Sequence, residues 1–349
     1  MQSNVLDDAA LREQIDKSQM YRALLSFPYQ LEKGWELAGS ISIERNKFSR
    51  IIVCGMGGSA IGGDMLRDVL RSSANFPVDV IRDYELRQRE REALVVGVSY
   101  SGNTEETLSS VRQAVEGGME TVLISSGGQL EEFAREKGLK HIRIPAGYQP
   151  RAALGFMFSS LLRIADKLGI FNFQHSIMDT IQHVRNVVSS VSIDKPSSAN
   201  ISKQISNWLG DRVPVIACPN ELYSAGERMK TQFNENSKRL AWNLFFPESN
   251  HNDWIPLMTD RRVGEYRVIL LRTISDNKLM KKRMEVVESM LKQRMDVFAI
   301  QSTSDSPLNA LLEYTVIGDW ASYYTALLDA IDPSPVAPIE ELKKRLKEK

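Results

Sequence analysis

Cysteine is nearly absent. The chain has 349 residues and two cysteines, Cys54 and Cys218, far apart in sequence. Each closes a short apolar run that reads as a buried strand, so a disulfide framework is not expected and a reducing cytoplasm is. An excess of either charge is lacking too. Lys+Arg and Asp+Glu both number 44, which speaks against a general nucleic-acid or polyanion binder and leaves room only for a local basic pocket. No run approaches the roughly 18 apolar residues of a membrane span, and MQSNVLDDAALREQIDKSQ at the N-terminus has no apolar signal core, so no membrane association is expected. There is no short-period repeat, which argues against a solenoid. The histidines number four, and only His251, in FPESNHND, sits in a polar motif. His251 and Asp253 alone are too few donors for a metal, so none is expected.

What is present is a globular composition, 42% hydrophobic and 25% charged, sufficient for a core without disulfide or metal. Residues 5 to 45 carry the helical series Met20, Leu24, Phe27, then Leu31 and Trp35, and read as two amphipathic helices interrupted near Pro28. From Ile51 onward, continuous apolar strands (IIVC, VDVIR, ALVVGV, ETVLIS, KHIRI) alternate with amphipathic helical segments. That pattern indicates a mostly parallel sheet covered on both faces. A strongly apolar helix follows PRAALG, then a polar, Ser-rich connection over 186–211. Alternation resumes with RVPVIACP, RVILLRT and MDVFAIQS. The expected architecture is α/β: a helical segment at 1–48, a first domain at 49–150, connecting helices at 151–195, and a second domain of the same class at 196–349 ending in a short amphipathic helix.

The most unusual stretch is IIVCGMGGSAIGGD. It holds five glycines within nine residues (Gly55, Gly57, Gly58, Gly62, Gly63) directly after a strand. Such density indicates close backbone approach, and at a strand–helix turn the usual visitor is a phosphate. GMGGSA also fits a dinucleotide fingerprint, or a tight turn with no ligand. A second strand–helix turn, SYSGNTEET, offers hydroxyls at Ser99, Ser101, Thr104 and Thr107. Hydroxyls and backbone N–H groups can surround a monophosphate without a basic residue, and a dinucleotide fold has no need of a second such cluster. The bland alternative is a helix capped by Thr104. In a parallel sheet the two turns converge at the strands' carboxyl ends, which nominates Gly58, Ser59, Ser99, Ser101 and Thr104 for a phosphate. Glu235, in MKTQFNENSK, lies near a helix end between Asn234 and Asn236. These are poor helix formers, so their side chains are expected to face a site.

SYSGNTEET is similar to the phosphosugar loop of sugar isomerase (SIS) domains. The set GMGGSAIGGD, SYSGNTEET, PRAALG, NENSK and NHND, in that order from about residue 50 onward, resembles the bifunctional phosphoglucose/phosphomannose isomerases. That resemblance implies two SIS domains and a sugar-phosphate substrate. It implies aldose–ketose isomerisation through an enediol(ate), without cofactor, in a homodimer. It also implies residue roles. Glu235 matches the proton-shuttling base. His251 matches the ring-opening group, supplied across the interface by the neighbouring subunit. Arg151 lies beside the sugar oxygens, and Lys343 matches a C-terminal lysine that aids ring opening, with Lys344 adjacent. Ser334 stands where related sequences often carry threonine. A non-catalytic sugar-phosphate regulator and a nicotinamide enzyme are the alternative readings.

Overall fold

The computed structural model describes residues 5–348 apart from 46, 75, 88, 89, 275 and 276. The N-terminal segment forms three short helices: α1 (Ala9–Ile15), α2 (Met20–Leu25) and α3 (Phe27–Ala38). The expected two helices are thus three. Pro28 does not interrupt; it sits in the first turn of α3, where a missing N–H costs nothing. Buried Asp16 shapes the entry to α2 by accepting from the Met20 N–H at 2.8 Å and from the Tyr323 hydroxyl at 3.0 Å.

The first sheet runs β1 (Arg50–Cys54), α4 (Gly57–Ser73), β2 (Val78–Ile81), β3 (Ala93–Val98), α5 (Glu105–Glu116), β4 (Thr121–Ser125), α6 (Gly128–Lys137) and β5 (Lys140–Arg143). Every pairing is parallel, in the order β2-β1-β3-β4-β5. The direction of winding reverses between β1 and β3, so a crevice opens beyond their carboxyl ends. The two turns nominated from sequence follow these two strands. The order differs from 3-2-1-4-5-6 of dinucleotide folds, which removes the fold-level support for a nicotinamide reading.

The chain continues through α7 (Leu154–Lys167), α8 (Ile177–Val191) and α9 (Ile201–Leu209) into the second sheet. That sheet contains β6 (Val213–Pro219), α10 (Tyr223–Asn236), β7 (Trp242–Phe246), α11 (Trp254–Thr259), β8 (Tyr266–Arg272), α12 (Lys278–Leu291) and β9 (Val297–Gln301). Its order, β7-β6-β8-β9, repeats the first sheet's pattern and is again parallel throughout. β7 is a strand that the sequence reading did not include. It is a short edge strand with Trp242 exposed, and such strands give little periodic signal. Two further helices close the chain, α13 (Pro307–Leu328) and α14 (Ala337–Lys347).

α13 is the axis of the core. Its residues from Ala310 to Leu327 are all buried, Trp320, Tyr323 and Tyr324 among them. A helix apolar on all sides belongs inside a protein or a membrane. Here it packs against α8, α9 and α10, and among the described residues no helix is long and apolar enough to cross a membrane. Both cysteines are free and buried, and burial pushes the Cys54 thiol up to about 12.

The two sheets are joined through α4 and α10. Asp68 on α4 accepts the Ser224 N–H in the first turn of α10 at 2.7 Å. Burial raises its carboxyl to about 6, against the opposing pull of Ser224 and Arg67. The folded state therefore retains this proton up to about pH 6, whereas an unfolded Asp loses it near 3.9. The stabilisation from proton uptake is complete below the unfolded value and is lost as pH rises through the folded one. Asp68→Asn keeps the acceptor and stays neutral. In urea unfolding its stability relative to wild type should improve by about 2 kcal/mol between pH 4.5 and 7.5. A pH-independent difference would show that Asp68 does not carry this proton.

Candidate active site

The glycine-rich turn packs as tightly as its composition implies. A Cβ on Gly63 would lie 2.9 Å from the Val53 side chain, so glycine lets α4 sit down on β1. A Cβ on Gly58 would lie 3.1 Å from the Cα of Arg151. The first turn of α4 therefore rests directly on the segment carrying Arg151. No side chain caps α4 at Met56, and none caps α5 at Thr104. The expected cap is replaced: the Thr104 hydroxyl bonds the Ser99 hydroxyl at 2.8 Å. Two uncapped helix N-termini side by side direct N–H groups and positive dipole ends into the crevice beyond β1 and β3, which favours an anion.

The two turns are linked. Ser59 Oγ accepts the Tyr100 N–H at 3.3 Å. Ser101 is exposed and its hydroxyl accepts the Asn103 N–H at 3.3 Å. Gly102, at φ +69°, makes the sharp bend, and a side chain there would run into the Gly127 carbonyl. Thr107 adds a buried hydroxyl with no hydrogen-bond partner among the described residues. Sequence reading counted that hydroxyl but did not select it. Its place one helical turn on from Thr104 was the available signal.

Arg151 is 3% exposed, although it lies in a turn. Its Nε donates to Asn236 Oδ1 at 2.8 Å, and its Nη2 donates to the Pro333 and Ser334 carbonyls at 2.7 and 3.0 Å. Only Nη1 remains for anything else. It lies 3.4 Å from Gln149 Oε1 and 3.5 Å from Glu235 Oε2. Burial and neighbouring Arg228 lower the Arg151 pKa, while Glu235 and Asp319 raise it, and a guanidinium remains charged regardless. Arg228, 2% exposed, donates to both oxygens of Asp319 at 2.9 and 2.8 Å and to the Arg151 carbonyl at 2.6 Å. The Arg151 turn is thereby anchored to α10 and α13.

Glu235 occupies the last turn of α10 and is partly exposed. The asparagines around it serve the protein itself rather than facing a ligand. Asn236 is buried between Arg151 and the Ser322 hydroxyl, and Asn234 donates to the Arg239 carbonyl at 2.8 Å. Ser334 is 2% exposed and its hydroxyl has no partner among the described residues. It lines a cleft of about 460 Å³ together with Arg22, Tyr148, Gln149 and Ala152. Lys238, which sequence reading quoted within NENSK but gave no role, donates to the Pro333 carbonyl at 3.0 Å.

Two nominated residues lie apart from this cluster. His251 is exposed in the turn after β7, and that turn is held to the strand by the Ser249 hydroxyl on the Phe245 N–H at 2.9 Å. The Phe245 ring lies 4.5 Å from that of Tyr223, the first residue of α10. Glu235 is therefore about 18 Å farther along α10, at 1.5 Å per residue. Lys343 and Lys344 are on α14, whose described side chains are all exposed. Lys344 lies 3.9 Å from Glu348. Among the described residues no group of three or more His, Cys, Asp or Glu side chains could hold a metal ion.

These features can be set against known proteins. A profile of the SIS domain matches residues 45–162, and one of the bacterial phospho-glucose isomerase C-terminal SIS domain matches 198–346. The chain is 34% identical over 336 residues to a bifunctional phosphoglucose/phosphomannose isomerase of Caldicellulosiruptor bescii, covering 94% of this chain and 99% of that one. It is 33% identical over 307 residues to a protein of the same name from Thermoplasma acidophilum, covering 87% and 92%. A solved structure of a hypothetical protein from Thermus thermophilus superposes with a TM-score of 0.75 at 16% identity, covering 97% of this chain and 94% of that one. That likeness concerns the fold alone.

Arg151→Lys tests the anchoring. A single ammonium cannot serve Asn236 and two carbonyls from the guanidinium's fork. The variant should lose about 1–3 kcal/mol in thermal or urea unfolding, with faster amide exchange at Ser334 and Val336. Unchanged stability and unchanged exchange would show that the 332–334 turn is held by other contacts.

Proposed function

The chain belongs to the bifunctional phosphoglucose/phosphomannose isomerase family, and on that premise we propose that it interconverts glucose 6-phosphate and mannose 6-phosphate with fructose 6-phosphate. The observation that carries the proposal is one unbroken line of contacts. The 99–104 turn bonds Ser59, Gly58 abuts Arg151, and Arg151 faces Glu235. An anion-favouring crevice thus adjoins a carboxylate with a cation beside it.

In this reading the phosphate sits on the α4 and α5 N-termini, held by Ser59, Ser99, Ser101 and Thr104 and by the Gly58 backbone. The open-chain sugar extends from there toward α10. Glu235 removes the proton from C2 and returns it to C1, while the oxygen gains negative charge in the enediolate. Arg151 Nη1, whose contacts to Gln149 and Glu235 are long at 3.4 and 3.5 Å, is the donor that meets that charge, because Nε and Nη2 are more closely engaged in the protein. Both aldoses give the same enediol, and one base serves both provided that rotation about the C2–C3 bond presents either face of the enediol to it. The unpartnered Ser334 hydroxyl is the polar group available near the sugar's C2–C3 bond.

Ring opening is assigned to His251 of a second copy. Within one chain β7, which leads to His251, packs on the first residue of α10 through Phe245 and Tyr223, whereas Glu235 is twelve residues, about 18 Å, farther along that helix. Lys343 begins two turns into a helix whose first residue, Ala337, follows Ser334 by three. It is assigned to the ring-opening side of the same site.

Glu235→Gln should fold normally and lose on the order of 10²–10⁴ in turnover with both aldoses. It should also lose exchange of the C2 hydrogen with solvent, since an amide has the shape and no basicity. Co-expressing Glu235→Gln with His251→Ala separates the shared site from a site within one chain. Random pairing of the inactive chains should restore about a quarter of wild-type activity, because each mixed dimer holds one site with both groups intact. No recovery in verified mixed dimers would place both groups in one chain or remove His251 from the site.

A further inference from the structure

Lys238 follows α10 directly, in a left-handed conformation with φ +59°. A left-handed lysine costs conformational energy that glycine would avoid. Its ammonium donates to the Glu235 carbonyl at the end of α10 and to the Pro333 carbonyl at 3.0 Å. The Pro333 carbonyl is also the acceptor of Arg151 Nη2, at 2.7 Å. Two cations from different segments thus converge on one carbonyl oxygen, one residue before Ser334.

We propose that Lys238 is a second positioning cation of the isomerase site, holding the end of α10 that carries Glu235 against the 332–334 turn that Arg151 secures from the other side. The proposal rests on the isomerase reading given above. The residue is exposed overall, while its bond to the Pro333 carbonyl is partly buried. Three charged groups face that tip: Arg151 from the turn before α7, Glu235 from α10, and Asp332 from the turn after α13. Partial burial of the ammonium and repulsion from Arg151 lower its pKa to about 8, with Asp332 and Glu235 opposing. The charge is complete near pH 6.5 and falls away as pH rises through 8. Below that value two cations compensate Glu235 and the negative end of α10; above it only Arg151 does. Charge loss therefore weakens the clamp within a working pH range.

The test compares the wild type with Lys238→Arg and Lys238→Gly from pH 6 to 9.5, following kcat and KM with glucose 6-phosphate. Arginine stays charged throughout. Glycine removes the side chain and suits the left-handed backbone, so the variant is not expected to unfold. Wild-type kcat/KM should decline above about pH 8 toward the level of Lys238→Gly. The glycine variant should itself sit about tenfold or more below wild type at pH 7, mainly in kcat, and show no step near 8. In Lys238→Arg the step should move beyond pH 9.5. A merely structural lysine would lower activity equally at every pH and leave the step in place, which would overturn the proposal, as would wild-type kcat in the glycine variant. Amide exchange at Ser334 and Val336, corrected for intrinsic pH dependence, reads the clamp without turnover. It should rise above pH 8 in wild type and not in Lys238→Arg. If the wild type proved inactive but this difference held, the isomerase reading would fail and the clamp would stand; equal exchange in both would remove the clamp.

Discussion

A buried guanidinium has to find acceptors, and that constraint organises this molecule. Arg151 is enclosed between the two sheets, where an unpaired charge would cost several kcal/mol. The acceptors it uses come from the last residue of α10 and from a turn that follows α13. Segments separated by 85 and by 183 positions in the chain are thereby drawn to one point. Arg228 adds a second layer: its pair with Asp319 is buried, and its remaining donor holds the Arg151 backbone. Burial raises the Asp319 carboxyl and Arg228 opposes that. The network satisfies its charges mutually, so removing any one member would leave another unpaired.

A related arrangement explains how an anion can be bound without a lysine or arginine of its own. α4 and α5 begin side by side at the reversal between β1 and β3, and neither uses a side chain for capping. No side chain takes the first N–H groups of either helix, and the Ser99 and Thr104 hydroxyls bond each other instead. Gly58 matters here for what it lacks. A Cβ there would lie 3.1 Å from the Arg151 Cα, so α4 or the Arg151 turn would have to give by a few tenths of an ångström.

Much of this was legible in the residues. The parallel α/β architecture followed from continuous apolar strands, and the glycine and hydroxyl turns were read as following adjacent strands, where the structure has them. Glu235 was placed correctly in a helix's last turn. What stayed hidden had physical reasons. β7 is a five-residue edge strand whose exposed Trp242 breaks the apolar pattern. The Asn236 side chain was read as facing a ligand because its partner, Arg151, is 85 positions away. Lys238 was given no role, since neither its left-handed backbone nor its distant acceptor leaves a periodic trace. Long-range pairing between polar side chains is invisible to local pattern, and the residues that hold the site together are of that kind.

The placement of Glu235 carries a cost that the neighbouring cations offset. A carboxylate in the last turn of a helix adds to the negative end of the dipole, an unfavourable interaction of roughly 0.3–1 kcal/mol. α10 nevertheless delivers its acid there because that end, not the N-terminal one, meets the crevice of the first sheet. Arg151 and Lys238 compensate the carboxylate and the helix end together, and they do so through the carbonyl of Pro333. The turn bearing Ser334 is therefore not a passive linker to α14 but the shared acceptor of Arg151 and Lys238. At the other end of α10, Tyr223 packs against Phe245 of β7, the strand that leads to the His251 turn. The end of α10 that carries Glu235 and the end that meets β7 ahead of His251 are thus held apart by the helix itself, twelve residues or about 18 Å, which is the geometric ground for assigning the two groups to different copies in the proposed mechanism.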